Sequence, residues 1–350
     1  MKVKKAKAAI LAESRKPLVV DEIAFPETLG VGQVLVKILH TSICGAQLNE
    51  IAAVKGPDKF LPHLLGHEAS AEVIETGLGV SVVEAGDTVV LHWRPGRGIQ
   101  SQPPTYRWRG ERLNAGWVTT FNEYAVVSEN RMTVIPPDTD IKIAPLFGCA
   151  ITTAAGVVAN DAKVKVGESV VVFGTGGVGL PIVQFAALAG AYPVVAIDVV
   201  AEKLAMARQC GATHTIETKR GADVAAEVRK IVGAQGPDKV IETTGSKAII
   251  ELAYDLTHAD GTCVLVGVPA EKVSIYTLPL HFNKVLTGSH GGDSTPHIDI
   301  PRILRLVEAG RVSFQDIITH EYPLGDINEA LDRVRSGTVG RILLNVGLRD

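Results

Sequence analysis

The chain has 350 residues, of which 46% are hydrophobic and 21% charged, and its formal net charge is −3. At roughly 150 residues per domain this length suits about two domains, and the composition excludes a chain disordered in bulk. The near-neutral charge supplies no general basic bias toward nucleic acid or an anionic membrane.

In chain order, the first 150 residues read as β-rich, with short β-branched runs at 34–39, 71–74 and 88–91 punctuated by Gly and Pro. The texture then changes. An apolar strand at 169–173 precedes a helical stretch at 177–190, and an apolar strand at 194–197 precedes a helix at 201–210. A strand at 213–216, an amphipathic helix at 222–232 and strands at 239–241, 262–266 and 285–288 continue the alternation. Strands apolar on both faces, alternating with helices, predict a doubly wound parallel sheet in an α/β fold. A helix at 301–309 and an apolar strand at 341–346 end the series. Residues 169–197 carry no charge, but five glycines and two prolines break the stretch, so no membrane span is expected.

Four dispersed cysteines (Cys44, Cys149, Cys210, Cys263) do not make a disulfide framework and suit reduced thiols in a cytoplasmic protein. The apolar stretch at 8–12 is too short for a signal peptide. Cys210 at a helix end and Cys263 in a strand read as buried small hydrophobes.

Gly174-Thr-Gly176-Gly177-Val178-Gly179 follows an apolar strand and opens a helix, and Asp198 ends the next strand. This is the dinucleotide-binding fingerprint in its full context. Gly174 allows the tight turn, Gly176 the approach of backbone to pyrophosphate, and Gly179 the close packing of helix on strand. The helix N-terminus adds free N–H groups and partial positive charge. Asp198 can accept ribose hydroxyls and would repel a 2′-phosphate; Val199 and Val200 offer no arginine beside it. NAD is therefore expected over NADP. Cys44, His67 and Cys149 form a three-ligand zinc set with an open fourth position, although their separation in sequence makes spacing alone a weak signal.

These segments together resemble the zinc-dependent medium-chain alcohol dehydrogenases over essentially the whole chain. The resemblance is carried by Ser42-Ile-Cys44-Gly, Gly66-His67-Glu68, Glu84-Ala-Gly-Asp87, Thr120-Phe-Asn-Glu-Tyr-Ala-Val-Val127 and Leu146-Phe-Gly-Cys149-Ala-Ile-Thr-Thr153, which runs on toward the glycine loop. Residues 121–215 most resemble the glutathione-dependent formaldehyde dehydrogenase branch. The resemblance implies a GroES-like β-rich catalytic domain (1–150 and 291–350) and a Rossmann NAD-binding domain (151–290). It implies Cys44, His67 and Cys149 as zinc ligands, with Glu68 beside the metal or as an alternate ligand. Thr153, Val178, Asp198, Lys203, Val266, Val268 and Arg341 match cofactor-contacting positions. The implied activity is NAD-linked, zinc-dependent oxidation of a small-molecule alcohol, or the reverse, by a homodimer or homotetramer.

Near the metal the chain departs from the family. Ala46 stands where a Ser or Thr passes the substrate proton outward, Gln47 where Asp commonly orients the zinc histidine, and Asn49 where many members have the outer His. Glu50, Glu68, His92, water or a hydroxyl of the substrate itself could take over the proton path. The four cysteines of the family's structural zinc are missing, so one zinc per chain is expected. In that lobe, residues 92–117 hold Trp93, Trp108 and Trp117 with five arginines, Arg94 among them. The lobe is expected to be held by packing. Trp93, Arg94 and Trp117, with Ala46, are candidates for the substrate wall and would suit a polyol, cyclitol or sugar; a locally packed loop is the other reading. Two rival functions remain open at this point: a redox-neutral enzyme with tightly held NAD, and a non-catalytic NAD-binding protein.

Overall fold

The computed structural model describes residues 1–219 and 221–347. Contacts divide them into two compact units: one of Met1–Cys149, Thr295–Arg305 and the residues from Ile318 onward, the other of Ala150–Ser294 and Leu306–Ile317.

The first unit is built on two mainly antiparallel sheets. In the larger, the ten-residue strand Gln33–Ser42 pairs with Ala69–Thr76 on one side and with Tyr124–Ser128 and Arg341–Asn345 on the other. The smaller sheet runs His63–Leu64, Lys5–Leu11, Val19–Ala24, Tyr106–Trp108, Glu111–Leu113. Alternation along Gln33–Ser42 sends Val34, Val36 and Ile38 into one apolar cluster with Val73, Val89 and Val127, while Leu35 joins a second with Tyr106 and Val126.

The second unit is a six-stranded, all-parallel sheet in the order His214–Glu217, Val194–Asp198, Val170–Phe173, Lys239–Glu242, Thr262–Leu265, Val285–Gly288. All four residues of Val170–Phe173 are buried, which explains their unbroken apolarity: both faces are covered by helices. This strand sits where the order reverses, and the crevice beyond its carboxyl end is the usual ligand position of such sheets. The segment Leu306–Ile317 packs with this unit. Phe314 lies 5.9 Å from Phe185, and the Gln184 amide bonds the backbone of Ser313 in both directions.

The lobe at 92–117 packs Tyr106 and Leu113 into the second apolar cluster and is held by polar ties as well. Its anchor is a buried polar segment, Ser128–Arg131. The Glu129 carboxylate accepts N–H bonds from Ile99, Ser81 and Val82 at 2.6–2.9 Å. Arg131 donates to the Trp93 carbonyl and to Gln100, and its guanidinium lies 5.1 Å from the Trp117 ring. Ser128 donates to Ile99 and accepts from the Ser101 N–H. The reason is that an irregular loop brings unpaired backbone groups inside, and only polar side chains can satisfy them. Burial works against the Glu129 charge, but the three N–H donors outweigh it and hold the carboxyl below its ordinary value. No helix among the described residues is long and apolar enough to cross a membrane.

Candidate metal and cofactor sites

Three side chains far apart in sequence converge in the first unit. Cys44 follows the strand Gln33–Ser42 and caps the helix Gly45–Ile51. His67 precedes the strand Ala69–Thr76, and Cys149 follows the turn Ala144–Gly148. Their ligand atoms all lie within 4.8 Å of one another. The contact between the two thiols pulls Cys44 well below the usual thiol range and pushes Cys149 well above it. Burial disfavours charge on His67, yet the Cys44 sulfur more than offsets it and raises the imidazole. His67 Nε2 is buried without a hydrogen-bond partner among the described residues. An orphaned imidazole nitrogen beside two sulfurs is a donor set that fits zinc, and three protein ligands is the number a catalytic zinc takes.

Around these donors lies a buried polar shell. Glu68 is fully buried; its Oε1 accepts from Ser42 Oγ and, at 3.0 Å, from Arg341 Nη1, while Oε2 has no partner among the described residues. Burial raises the Glu68 carboxyl, with Arg341 opposing. Arg341 also reaches the Ile43 carbonyl at 3.3 Å, and despite burial its charge is reinforced by Glu68 and Cys44. The structure thus places Arg341 beside Glu68, a contact across 273 residues that no local pattern announces.

Gln47 is buried and bridges two ligands. Its Oε1 accepts the Cys44 N–H at 2.8 Å, so its NH2 faces and donates to His67 Nδ1. The sequence suggests an acceptor at this position; the backbone N–H of Cys44 takes that acceptor first. A metal on Nε2 needs the proton on Nδ1 and an acceptor for it. Gln47 can meet that need only by turning its amide away from Cys44.

Of the proton-path candidates, His92 is fully buried, with Nδ1 on the Arg94 carbonyl at 2.8 Å and Nε2 on Thr133 at 3.0 Å. Burial pushes it down to about 4. It is a neutral packing residue. Glu50 differs: the residue is exposed overall, but partial burial raises its carboxyl, and the charges of His63 and His67 act on it. His63 itself is bonded to Asp58 at 2.8 Å and to the Leu64 carbonyl.

Ala46 is exposed on the helix that Cys44 caps, and Trp93 and Arg94 are half-buried, the guanidinium 5.8 Å from the indole. Trp117 bonds the Ser101 carbonyl and carries Arg131 on its ring; Trp108 bonds Asp21 and carries Arg109 at 4.6 Å. Both therefore have roles inside the first unit.

In the second unit, Gly174 has φ of 85° and turns the chain out of the strand Val170–Phe173. A Cβ on Gly179 would meet the Gly174 oxygen at 1.9 Å, whereas one on Gly176 would meet nothing within 4 Å. The first is the tight helix–strand approach; the second leaves open space beside the turn. Gly177 and Val178 complete the turn, and Val178 offers the helix Gly179–Leu188 no side-chain cap. Asp198 ends the neighbouring strand. Thr153 and Lys203 are buried, Val266 is half-buried and Val268 is 61% exposed.

The pattern of the alcohol dehydrogenase GroES-like domain matches residues 30–137, and that of the zinc-binding dehydrogenases matches residues 177–309. An S-(hydroxymethyl)glutathione dehydrogenase of Synechocystis is 31% identical over 95% of this chain and 97% of its own. Among solved structures, an alcohol dehydrogenase zinc-binding domain protein from Burkholderia ambifaria superposes with a TM-score of 0.89 at 29% identity, covering 98% of this chain and 99% of that one. Benzyl alcohol dehydrogenase from Acinetobacter calcoaceticus gives 0.87 at 26%, covering 98% and 100%. The chain belongs to the zinc-dependent medium-chain alcohol dehydrogenase family. It is an oxidoreductase acting on CH–OH groups.

The Gln47 bridge makes a measurable difference to metal binding. Gln47→Glu keeps the length and presents an acceptor to both Cys44 N–H and a protonated His67 Nδ1. Zinc affinity, measured by competition with a chelator, is expected to rise about tenfold, at the lower end of what such outer partners contribute. Unchanged or weaker zinc binding would contradict this role for Gln47.

Proposed function

We propose that the chain oxidises a small polar alcohol, of the polyol, cyclitol or sugar-alcohol class, with NAD as acceptor, or runs the reverse reduction, using one zinc per chain held by Cys44, His67 and Cys149. The observation that carries the reading is the convergence of those three donors around a buried, unpartnered His67 Nε2. When bound, zinc supplies the Lewis acidity that lowers the pKa of an alcohol hydroxyl, and NAD supplies the hydride acceptor. The chain's own residues do the rest. Gln47 orients His67, and the Arg341–Glu68 pair neutralises charge behind the donors. Trp93 and Arg94 offer a flat ring and a forked donor to a hydroxyl-rich substrate, which is the support for the polar class. The Gly174–Gly179 loop cradles the pyrophosphate and Asp198 holds the adenosine ribose. Thr153, Lys203, Val266 and Val268 complete our cofactor assignment in a 151–290 domain. The zinc domain takes 1–150 and 291–350.

For the proton we assign Glu50 as the outlet. Glu68 is fully buried with Oε1 held by Ser42 and Arg341, and His92 has both nitrogens occupied, whereas the Glu50 carboxyl is exposed enough to reach solvent and is raised above its ordinary value, with the His67 charge acting on it. A base must be ionised to accept, so activity governed by Glu50 falls as pH drops through its raised pKa. Glu50→Gln is expected to lower alcohol oxidation and to remove that acidic limb from the pH profile of kcat. An unaltered profile would exclude Glu50.

We also assign a homodimer built through the open edge of the parallel sheet. Among the described residues, strand Val285–Gly288 has a partner on one side only, and Tyr276, Phe282 and Val285 beside it are 45–67% exposed. An unpaired edge flanked by apolar side chains suits a second copy of itself. Phe282→Glu is expected to lower the solution mass toward the monomer; an unchanged oligomer would place the contact elsewhere.

The decisive experiment measures bound zinc together with NAD reduction over simple alcohols, polyols and cyclitols. We expect about one zinc per chain and NADH formed best on a polyhydroxylated substrate. Zinc without net NADH on any substrate would turn attention to the redox-neutral reading, and absence of zinc from freshly purified protein would overturn the mechanism.

A further inference from the structure

Asp198 is more fully occupied than a ribose-binding carboxylate needs to be. Its Oδ1 accepts the N–H groups of Val199 at 2.8 Å and Val200 at 3.1 Å. Its Oδ2 accepts the Thr175 N–H at 2.7 Å and the Thr175 hydroxyl at 3.0 Å. An ionised carboxylate has about four acceptor sites, and here the chain itself fills them. Three of the four donors are backbone groups, fixed by the glycine turn and by the entry to the helix Ala201–Gln209. Only the fourth, Thr175 Oγ1, turns about a single bond.

We propose that the Thr175 hydroxyl is a built-in competitor for the adenosine ribose and sets how strongly the enzyme prefers NAD over NADP. The inference rests on the reading of Asp198 as the ribose-binding residue. A ribose hydroxyl reaches Asp198 Oδ2 only by displacing the threonine hydroxyl. Thr175 is fully buried, so water cannot take over the bond it gives up. That loss is charged against each NAD that binds. NADP has no free 2′-hydroxyl to offer and meets the carboxylate as a repelling charge, so it gains little from the exchange. The Thr175 hydroxyl thus weakens the favoured cofactor selectively and narrows the gap between the two.

The sequence pattern alone does not reveal this, because the second position of the glycine motif tolerates any residue. What reveals it is the direction of one buried side chain.

The test is direct binding of NADH and NADPH to the purified enzyme, followed by nicotinamide fluorescence. Thr175→Val keeps the shape and removes the hydroxyl. NADH affinity is expected to rise about fivefold, the worth of roughly one hydrogen bond, with NADPH affinity unchanged. Thr175→Ser keeps the hydroxyl and is expected to match the parent. Thr175→Ala serves as a second hydroxyl-free variant should the valine disturb folding. Weaker or unchanged NADH binding in the hydroxyl-free variants, with the parent binding NADH normally, would overturn the competitor role and leave the ribose assignment standing. A parent that binds neither dinucleotide would overturn both.

Discussion

The strand Gln33–Ser42 is the constraint on which the metal site depends. Its register against Ala69–Thr76 puts Thr41 opposite Ala69, so the chain just before that strand, His67 and Glu68, arrives beside Ser42 and Cys44. Its register against Arg341–Asn345 puts Ser42 opposite Leu343, which brings Arg341 to Glu68. A slip by one residue would turn every side chain to the other face. It would move Val34, Val36 and Ile38 out of their apolar cluster and scatter the donors at the same time. The apolar core and the site are therefore specified by the same pairing, and the burial that stabilises the sheet also fixes the chemistry.

The charges follow from that enclosure. Cys44, Glu68 and Arg341 meet out of reach of bulk water, where an isolated charge is costly and a paired, hydrogen-bonded one is tolerated. Arg341 serves the site by opposing the rise that burial imposes on the Glu68 carboxyl. Cysteine ligands bind a metal as thiolates, so a dication among these donors would take the place of thiol protons. The site is arranged to release a proton and accept a cation, with Glu68 close by and its second oxygen uncommitted.

What was legible in the sequence was local. The glycine loop, the apolar strand before it and Asp198 lie within 30 residues, so the roles proposed for them rest on spacing; the parallel sheet is visible in runs such as Val170–Phe173 that are buried on both faces. The resemblance supplied Cys44, His67 and Cys149, which spacing could not. Other features depended on distant partners. The helix Lys247–Leu256 escaped the reading because it is one short amphipathic element between polar turns. The helix expected from Pro301 starts earlier, at Pro296, since Pro301 is accommodated within it. Gln47 reads as a plain polar residue until the Cys44 N–H is seen to claim its oxygen.

The lobe at 92–117 combines apolar packing, through Tyr106 and Leu113, with polar ties in its irregular part. A loop without regular pairing has N–H and carbonyl groups that apolar side chains cannot satisfy. A metal can tie such a loop by its side chains; here the backbone is tied, through Glu129 to the Ile99 N–H and Arg131 to the Trp93 carbonyl. The tie has a functional consequence. Trp93, the residue assigned to the substrate wall, is held through its main chain by Arg131, which also covers Trp117. Its indole carries the Arg94 guanidinium at 5.8 Å, so main chain and ring are held by different arginines. Replacing either arginine therefore loosens a different part of Trp93, the main chain for Arg131 and the ring for Arg94.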